Sequence, residues 1–346
     1  MLKVYTIAQS AEWDTIIRSF KDYDTYWLSG YVNAFKIHGD GEPLLFYYES
    51  DEIKGANVVM KRDIAQDSHF CGLIKEGLYF DFSTPYGYGG WLIEGKNKKK
   101  LFDTYEEWCV ENGIVSEFVR FHPVIRNNVL CEGFYDIDRM GNTVTLDLSS
   151  PEVIWGNITS KNRNMIRKAQ KNNIKVFFGR YPEIFDVFMD IYNQTMDRDN
   201  ANKYYYFDRK FYESILMDLP YNAVVFYAVY SGRPIAASIM LNTNGKMNYH
   251  LSGSIKDFGH LAATNLIIYE ASLWGCANGY KTLYLGGGVG SSEDGLYRFK
   301  KSFFRGDANN SFHIGRKVFS QEKYDSLVVM RKNLSTHYFP RYRTEG

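Results

Sequence analysis

The chain has 346 residues, of which 45% are hydrophobic and 23% charged, and its formal net charge is +1. This balance excludes a disordered chain and a broad basic field for nucleic acid, so any anion site must be a local patch. The length exceeds that of a usual single core and predicts two domains.

The opening "MLKVYTIAQSAEWD" lacks the basic start and apolar block of a secretory signal. No apolar run is long enough to cross a bilayer, so the expectation is a cytoplasmic protein with at most peripheral membrane contact. The cysteines are Cys71, Cys109, Cys131 and Cys276, with no CxxC pair, and read as reduced thiols. The histidines show neither HExxH nor His-x-His spacing, so no metal is expected.

In chain order, "LKVYTI" reads as a strand, followed by helical patterns around 10–20 and 29–37. "PLLFYYES" and "IKGANVVMKR" are strands joined by a tight turn at Ser50-Asp51-Glu52, and "GLYFDF" is a third. A helix over 98–112 ends at Asn112-Gly113, and the strand "SEFVRF" follows. "TVTLDLSSPEVIW" marks the domain boundary. Its strand ends at Ser149-Ser150, either of which can cap a helix with Pro151 at its first position.

The same order then repeats. A basic helix precedes "IKVFFG", and helices span 182–197 and 207–217. "AVVFYAVY" and "RPIAASIMLN" are strands turning at Ser231-Gly232, and "KMNYHLSGS" is another. A helix over 260–277 ends at Asn278-Gly279, before the strand "KTLYLGG". Each half reads strand, two helices, three strands, helix, strand. That order resembles the GNAT acyltransferase fold used twice. The expected class is α/β (α+β): domains 1–149 and 150–346, each a mixed central sheet flanked by helices.

"LGGGVGSSEDG" is glycine-rich but lacks the lysine of a Walker loop and the glycine spacing of a dinucleotide loop. Glu293 and Asp294 would repel phosphate, so a turn is expected. In the following "LYRFKKSFF", Leu296, Phe299 and Phe303 recur at helical spacing and are expected to face inward. Lys300, beside Phe299, is then placed for partial desolvation and for aiming into a cleft, although a solvated lysine is the plainer reading.

The segment "TSKNRNMIRKAQKNNIKVFFGR" carries seven basic residues, and no acid lies between Glu152 and Glu183. Thr159 or Ser160 can cap it, and Arg163 and Arg167 share one face. A solvated face is one reading. The other is an electropositive strip for a polyanion, either RNA backbone or a diphosphate.

Together these segments resemble the Fem family, transfer-RNA-dependent aminoacyltransferases that build peptidoglycan cross-bridges on tandem GNAT-like domains. The resemblance covers nearly the whole chain. It rests on "SKNRNMIRKAQKNNIKV", "NYHLSGS", "LAATNLIIYEASLWGCANGY" leading to "LYLGGG", and "GLYRFKKSF". "YVNAFKIHG", "STPYGYGG" and "FVRFHP" match more weakly, and the closing F-K-x-x-F is the most specific.

The resemblance implies that Lys300 is the catalytic lysine. It implies that Lys36 and Lys203 contact the phosphates of the nucleotide-sugar precursor, with Thr84, Tyr86, His122 and Tyr249 among the substrate-binding residues. Arg163, Arg167 and Lys168 would hold the tRNA. The implied partners are aminoacyl-tRNA and UDP-MurNAc-pentapeptide or a lipid-linked peptidoglycan precursor, with no cofactor. The long helical arm of staphylococcal-type members has no room between Phe207 and Pro220, so the chain resembles the compact members.

One alternative is a GNAT enzyme using acetyl-CoA or another acyl-CoA on a sugar or peptide amine. Such enzymes cradle the CoA diphosphate with a [QR]xxGx[GA] loop. Here "KDFGHL" departs from it at Lys256 and Leu261. A non-catalytic cell-wall or RNA-binding module is the other alternative, and the retained F-K-x-x-F weighs against it.

Overall fold

The computed structural model describes residues 1–307, 310–331 and 338–344. The chain divides into two compact units, one of residues 1–140 with 312–346, the other of residues 141–311.

The first unit contains β1 (Leu2–Thr6), α1 (Ser10–Arg18), α2 (Ser29–His38), β2 (Glu42–Glu49), β3 (Ile53–Asp63), β4 (Phe80–Ser83), β5 (Leu92–Gly95), α3 (Lys99–Glu111) and β6 (Ile114–Arg120). β7 (Asp136–Asp147) then carries the chain into the second unit, which adds α4 (Pro151–Asn157), α5 (Ser160–Lys171), β8 (Lys175–Gly179), α6 (Pro182–Arg198), α7 (Arg209–Asp218), β9 (Ala223–Tyr230), β10 (Arg233–Thr243), β11 (Lys246–Ser254), α8 (Ala263–Ala277), β12 (Thr282–Gly286) and α9 (Gly295–Lys301). Finally β13 (Asn310–Val318) and α10 (Gln321–Val329) lead back to the first unit.

Both units are mixed sheets flanked by helices. In the first, strands run β1-β2-β3-β4-β6-β13, with β5 beside β3 and only β4–β6 parallel. In the second they run β7-β12-β11-β10-β9-β8, with only β11–β12 parallel. The element order repeats as expected except for β5, a fourth strand before α3 in the first unit, and each sheet places its one parallel pair next to the strand that ends its order, β13 in the first unit and β7 in the second.

The division differs from the expected 1–149 and 150–346. The second half of β7 pairs with β12, from Asp147↔Thr282 to Val144↔Gly286. β13 pairs antiparallel with β6, from Ile314↔Arg120 to Val318↔Ser116. Long-range pairing therefore sends residues 312–346 to the first unit, although they follow the second in sequence.

Local chemistry explains the elements of the second unit. Ser150 Oγ accepts from Val153 N at 3.2 Å with Pro151 at the first helical position, and Thr159 Oγ1 accepts from Asn162 N at 3.4 Å. β10 is buried from Ile235 to Thr243, as a strand covered on both faces should be. α8 buries Leu266, Ile267, Ile268 and Ala271 in the core that it shares with Ile166 and Ala169 of α5. Arg180 donates to the carbonyl oxygens of Leu216, Leu219 and Ala223, closing the end of α7. It is thereby occupied in structure rather than offered to an anion.

The first unit buries a carboxyl. Glu117 accepts from Asn57 Nδ2 at 3.0 Å, Tyr105 OH at 3.0 Å and Tyr135 OH at 2.8 Å. Burial raises its pKa from 4.5 to about 7, despite these donors. A carboxyl raised on folding stabilises fully below its unfolded pKa, and that contribution is lost as pH rises through the folded value. Between pH 5 and 8 Glu117 is expected to remove about 3 kcal/mol. Urea midpoints for the protein and for Glu117→Gln should diverge in the variant's favour as pH rises; a constant gap would contradict this.

Candidate active site

α9 starts at Asp294, whose Oδ1 accepts from Tyr297 N at 2.8 Å and whose Oδ2 accepts from Val289 N at 3.1 Å. One carboxylate thus caps the helix and ties down the glycine loop before it. The loop is a turn, as expected. The helix has only seven residues, and its inward face is set by Tyr297, which is buried, rather than by Leu296, which is 41% exposed. Phe303 is buried and Phe299 partly so, as expected. Lys300, three residues after Tyr297, shares its side of the helix.

Lys300 is half-buried, and Nζ donates to Gly287 O at 2.7 Å. Burial lowers its pKa to about 8, with Asp294 acting in the opposite direction. Gly286 has φ +84, and a Cβ there would stand 3.3 Å from Lys300 Nζ. A side chain at 286 would therefore suffer backbone strain and crowd the ammonium.

The ammonium lies at the carboxyl end of β12. β11 and β12 are paired only from Lys246↔Thr282 to Asn248↔Tyr284, whereas β11 continues to Ser254 alongside β10. The sheet therefore opens along β11 after Asn248, next to the strand end that carries Gly286. Parting of parallel strands at their carboxyl ends is where open α/β sheets take ligands. On this stretch of β11, Tyr249 is hydrogen-bonded to the side chains of Ser238 and Ser252, which lie 2.8 Å apart. Burial pushes the neighbouring His250 down to about 3, so its imidazole is uncharged.

The arginines of α5 form a second feature of this unit. The guanidinium carbons of Arg163 and Arg167 lie 5.8 and 5.1 Å from the Trp155 ring centre. Arg167 and Lys168 are exposed, and Arg163 is half-buried. Lys203 is exposed at the start of a short 3-10 turn. Among the described residues, no hydrogen bond or ion pair joins Lys300 to Tyr249, Lys203 or these arginines.

In the first unit, Lys36 Nζ pairs with Glu42 Oε2 at 2.7 Å. Thr84 is buried, and its Oγ1 accepts from Arg120 N at 3.3 Å. Tyr86 is half-buried, and its carbonyl accepts from Tyr31 OH. His122, expected among the substrate-binding residues, is fully buried, with Nε2 3.0 Å from Asp24 Oδ2. Its Nδ1 accepts from Val124 N at 3.3 Å and Ile125 N at 3.2 Å, which leaves the ring proton on Nε2, facing the carboxylate. Tyr26, Trp27 and Tyr88 enclose the ring. His122 thus fastens the loop after β6 and does not meet solvent.

Trp155, Asp294 and Asp24 were not anticipated. Asp294 had a legible signal, an acid immediately before a glycine and an apolar helical stripe. Among the described residues, no group of three or more His, Cys, Asp or Glu is placed to hold a metal ion. No helix among them is long and apolar enough to cross a membrane.

Residues 160–301 match the family model described as an acetyltransferase (GNAT) domain. FemX shares the fold with a TM-score of 0.67 over 95% of this chain and 100% of its own, at 13% identity. A conserved protein of unknown function from Bacteroides thetaiotaomicron gives 0.60 over 91% and 98%, at 12% identity. The C-terminal domain of a proposed lysylphosphatidylglycerol synthetase from Agrobacterium fabrum gives 0.56 over 90% and 92%, at 14% identity. No curated protein matches the chain in sequence. The family match and the fold define a GNAT-fold acyltransferase. Over nearly its whole length the chain has the fold of FemX, two GNAT-like units in tandem.

Proposed function

We propose that the protein transfers an amino acid from aminoacyl-tRNA to an amine on the stem peptide of a peptidoglycan precursor. The observation carrying this reading is the half-buried Lys300 ammonium beside the parting of β11 and β12. The resemblance to the Fem family and the shared fold support it. The fold common to a domain named for lysylphosphatidylglycerol synthesis agrees with an aminoacyl donor.

The reaction is aminolysis of an ester. The acceptor nitrogen attacks the ester carbonyl, forming the C–N bond and an oxyanion. The C–O bond to ribose then breaks; the ribose oxygen gains a proton and the amine loses one. No cofactor enters. Of the three Lys300 N–H donors, one is held by Gly287 O, leaving two for the oxyanion and the departing oxygen. A pKa of about 8 suits an ammonium that stays charged near neutrality yet can release a proton.

In this reading Arg163, Arg167 and Lys168 hold the tRNA. Among the residues that the resemblance assigns to the precursor, Lys203 and Tyr249 belong to the unit of Lys300, and Lys36, Thr84 and Tyr86 to the first unit. Lys36 would exchange Glu42, itself well exposed, for phosphate. His122 acts through the packing of its loop. The acceptor is UDP-MurNAc-pentapeptide or its lipid-linked form, used in the cytoplasm, with peripheral membrane contact for the latter.

The description of the matched family as acetyltransferase favours a second reading, acyl-CoA as donor to a sugar or peptide amine. Against it, "KDFGHL" departs from the CoA-cradling loop at Lys256 and Leu261. Purified protein should be offered radiolabelled aminoacyl-tRNA or acetyl-CoA with the precursor. Label from tRNA reaching the stem peptide is expected; transfer from acetyl-CoA alone would overturn the tRNA reading.

A further inference from the structure

We propose that Arg163, Arg167 and Arg305 form a preorganised fork that grips successive phosphates of an RNA strand; this rests on the tRNA-donor reading and assigns its binding contacts.

Arg305 follows α9, far in sequence from α5, yet its Nε donates to Ile158 O at 3.1 Å and its Nη2 lies 3.4 Å from Ser160 Oγ. Arg163 Nη2 approaches the same hydroxyl, also at 3.4 Å. Two guanidinium groups thus meet at one serine. Among the described residues, no carboxylate pairs with Arg163, Arg167 or Arg305. Like charges brought together without an acid repel one another, and an anion seated between them relieves that cost.

Trp155 supplies the preorganisation. It is half-buried, its ring is 5.2 Å from that of Tyr269, and it carries both Arg163 and Arg167. A guanidinium held by an aromatic ring has lost much of its rotamer freedom before a ligand arrives. Its hydrogen-bonding edge still serves a bidentate oxygen acceptor. Arg163 and Arg167 are one turn apart, about 6 Å along the axis. The set therefore addresses more than one phosphate, which favours a strand over a single anion. Nothing in it reads base identity, as expected where the donated amino acid carries the meaning.

The test is binding of a labelled short single-stranded RNA to the full chain, by fluorescence anisotropy across a salt series. Each phosphate neutralised contributes about −0.7 to the slope of log affinity against log salt. Arg163→Ala with Arg305→Ala is expected to make that slope shallower by about 1.4 and to weaken binding at least tenfold at about 0.1 M salt. Arg163→Lys with Arg305→Lys should restore the slope but only part of the affinity, because charge returns without the fork. Unchanged slope and affinity in the alanine pair, with an unchanged urea midpoint, would overturn the proposal. If the alanine pair unfolds, the lysine pair decides: full native affinity there counts against the fork. The reaction is judged separately. RNA binding with this slope but no transfer from aminoacyl-tRNA sinks the reaction and spares the site. Transfer with an unchanged KM for aminoacyl-tRNA in the alanine pair sinks the site and spares the reaction.

Discussion

Lys300→Met is expected to lower turnover by about 100-fold or more, the scale seen when one oxyanion donor is removed. Methionine fills a similar volume and has no N–H for the carbonyl oxygen. With the lysine pKa at about 8, activity should also decline above that pH as the ammonium discharges. Stability should move the other way. A lysine lowered on folding opposes the fold most while charged, so at neutral pH the methionine variant should gain on the order of 1–2 kcal/mol, discounted for partial exposure. A variant that is inactive yet more stable would separate chemistry from folding. Turnover within about threefold of normal would remove Lys300 from the reaction.

Tyr342→Ala is expected to destabilise the first unit by about 3–5 kcal/mol. Tyr342 is fully buried, with Phe70 and Tyr324 against its ring. Its hydroxyl lies 2.7 Å from Ser116 Oγ and donates to Asp81 Oδ2 at 3.1 Å. Asp81 is itself fully buried and is neutralised by Arg62 Nε at 2.7 Å and Arg343 Nε at 2.5 Å. Arg343 also reaches Asp67 Oδ2 at 3.0 Å. Losing the tyrosine leaves a cavity and strips one donor from a buried carboxylate, so the two costs have the same sign. The urea midpoint should fall accordingly. A shift below about 1 kcal/mol would mean that the C-terminal segment contributes little to the fold.

Much of this architecture was legible because its signals are local. Alternation and turn residues marked the strands from Leu2 to Gly286 except the four-residue β5, and Ser150-Pro151 and Thr159 marked two helix starts. What escaped is set by distant partners or by helical phase. A strand's neighbour is not written in its own residues, so the return of β13 to β6 left no trace in the sequence order. A seven-residue helix offers too few turns to fix its phase, so Leu296 and Tyr297 exchanged roles. The sequence supplied a histidine at 122 but not its Asp24 counterpart, 98 positions earlier, which decides that the ring is enclosed. Arg163 and Arg167 were visible as a charged face, whereas Trp155 and Arg305 acquire meaning only when the helices are packed.

The exchange of last strands has a consequence for synthesis. A nascent chain halted before residue 310 has no β13, and β6 lacks its final neighbour until that strand leaves the ribosome. The second unit, by contrast, is contiguous and can close first. The amino-terminal unit, made earliest, is thus the last to be finished, and chaperones would find the open edge of β6 during that interval.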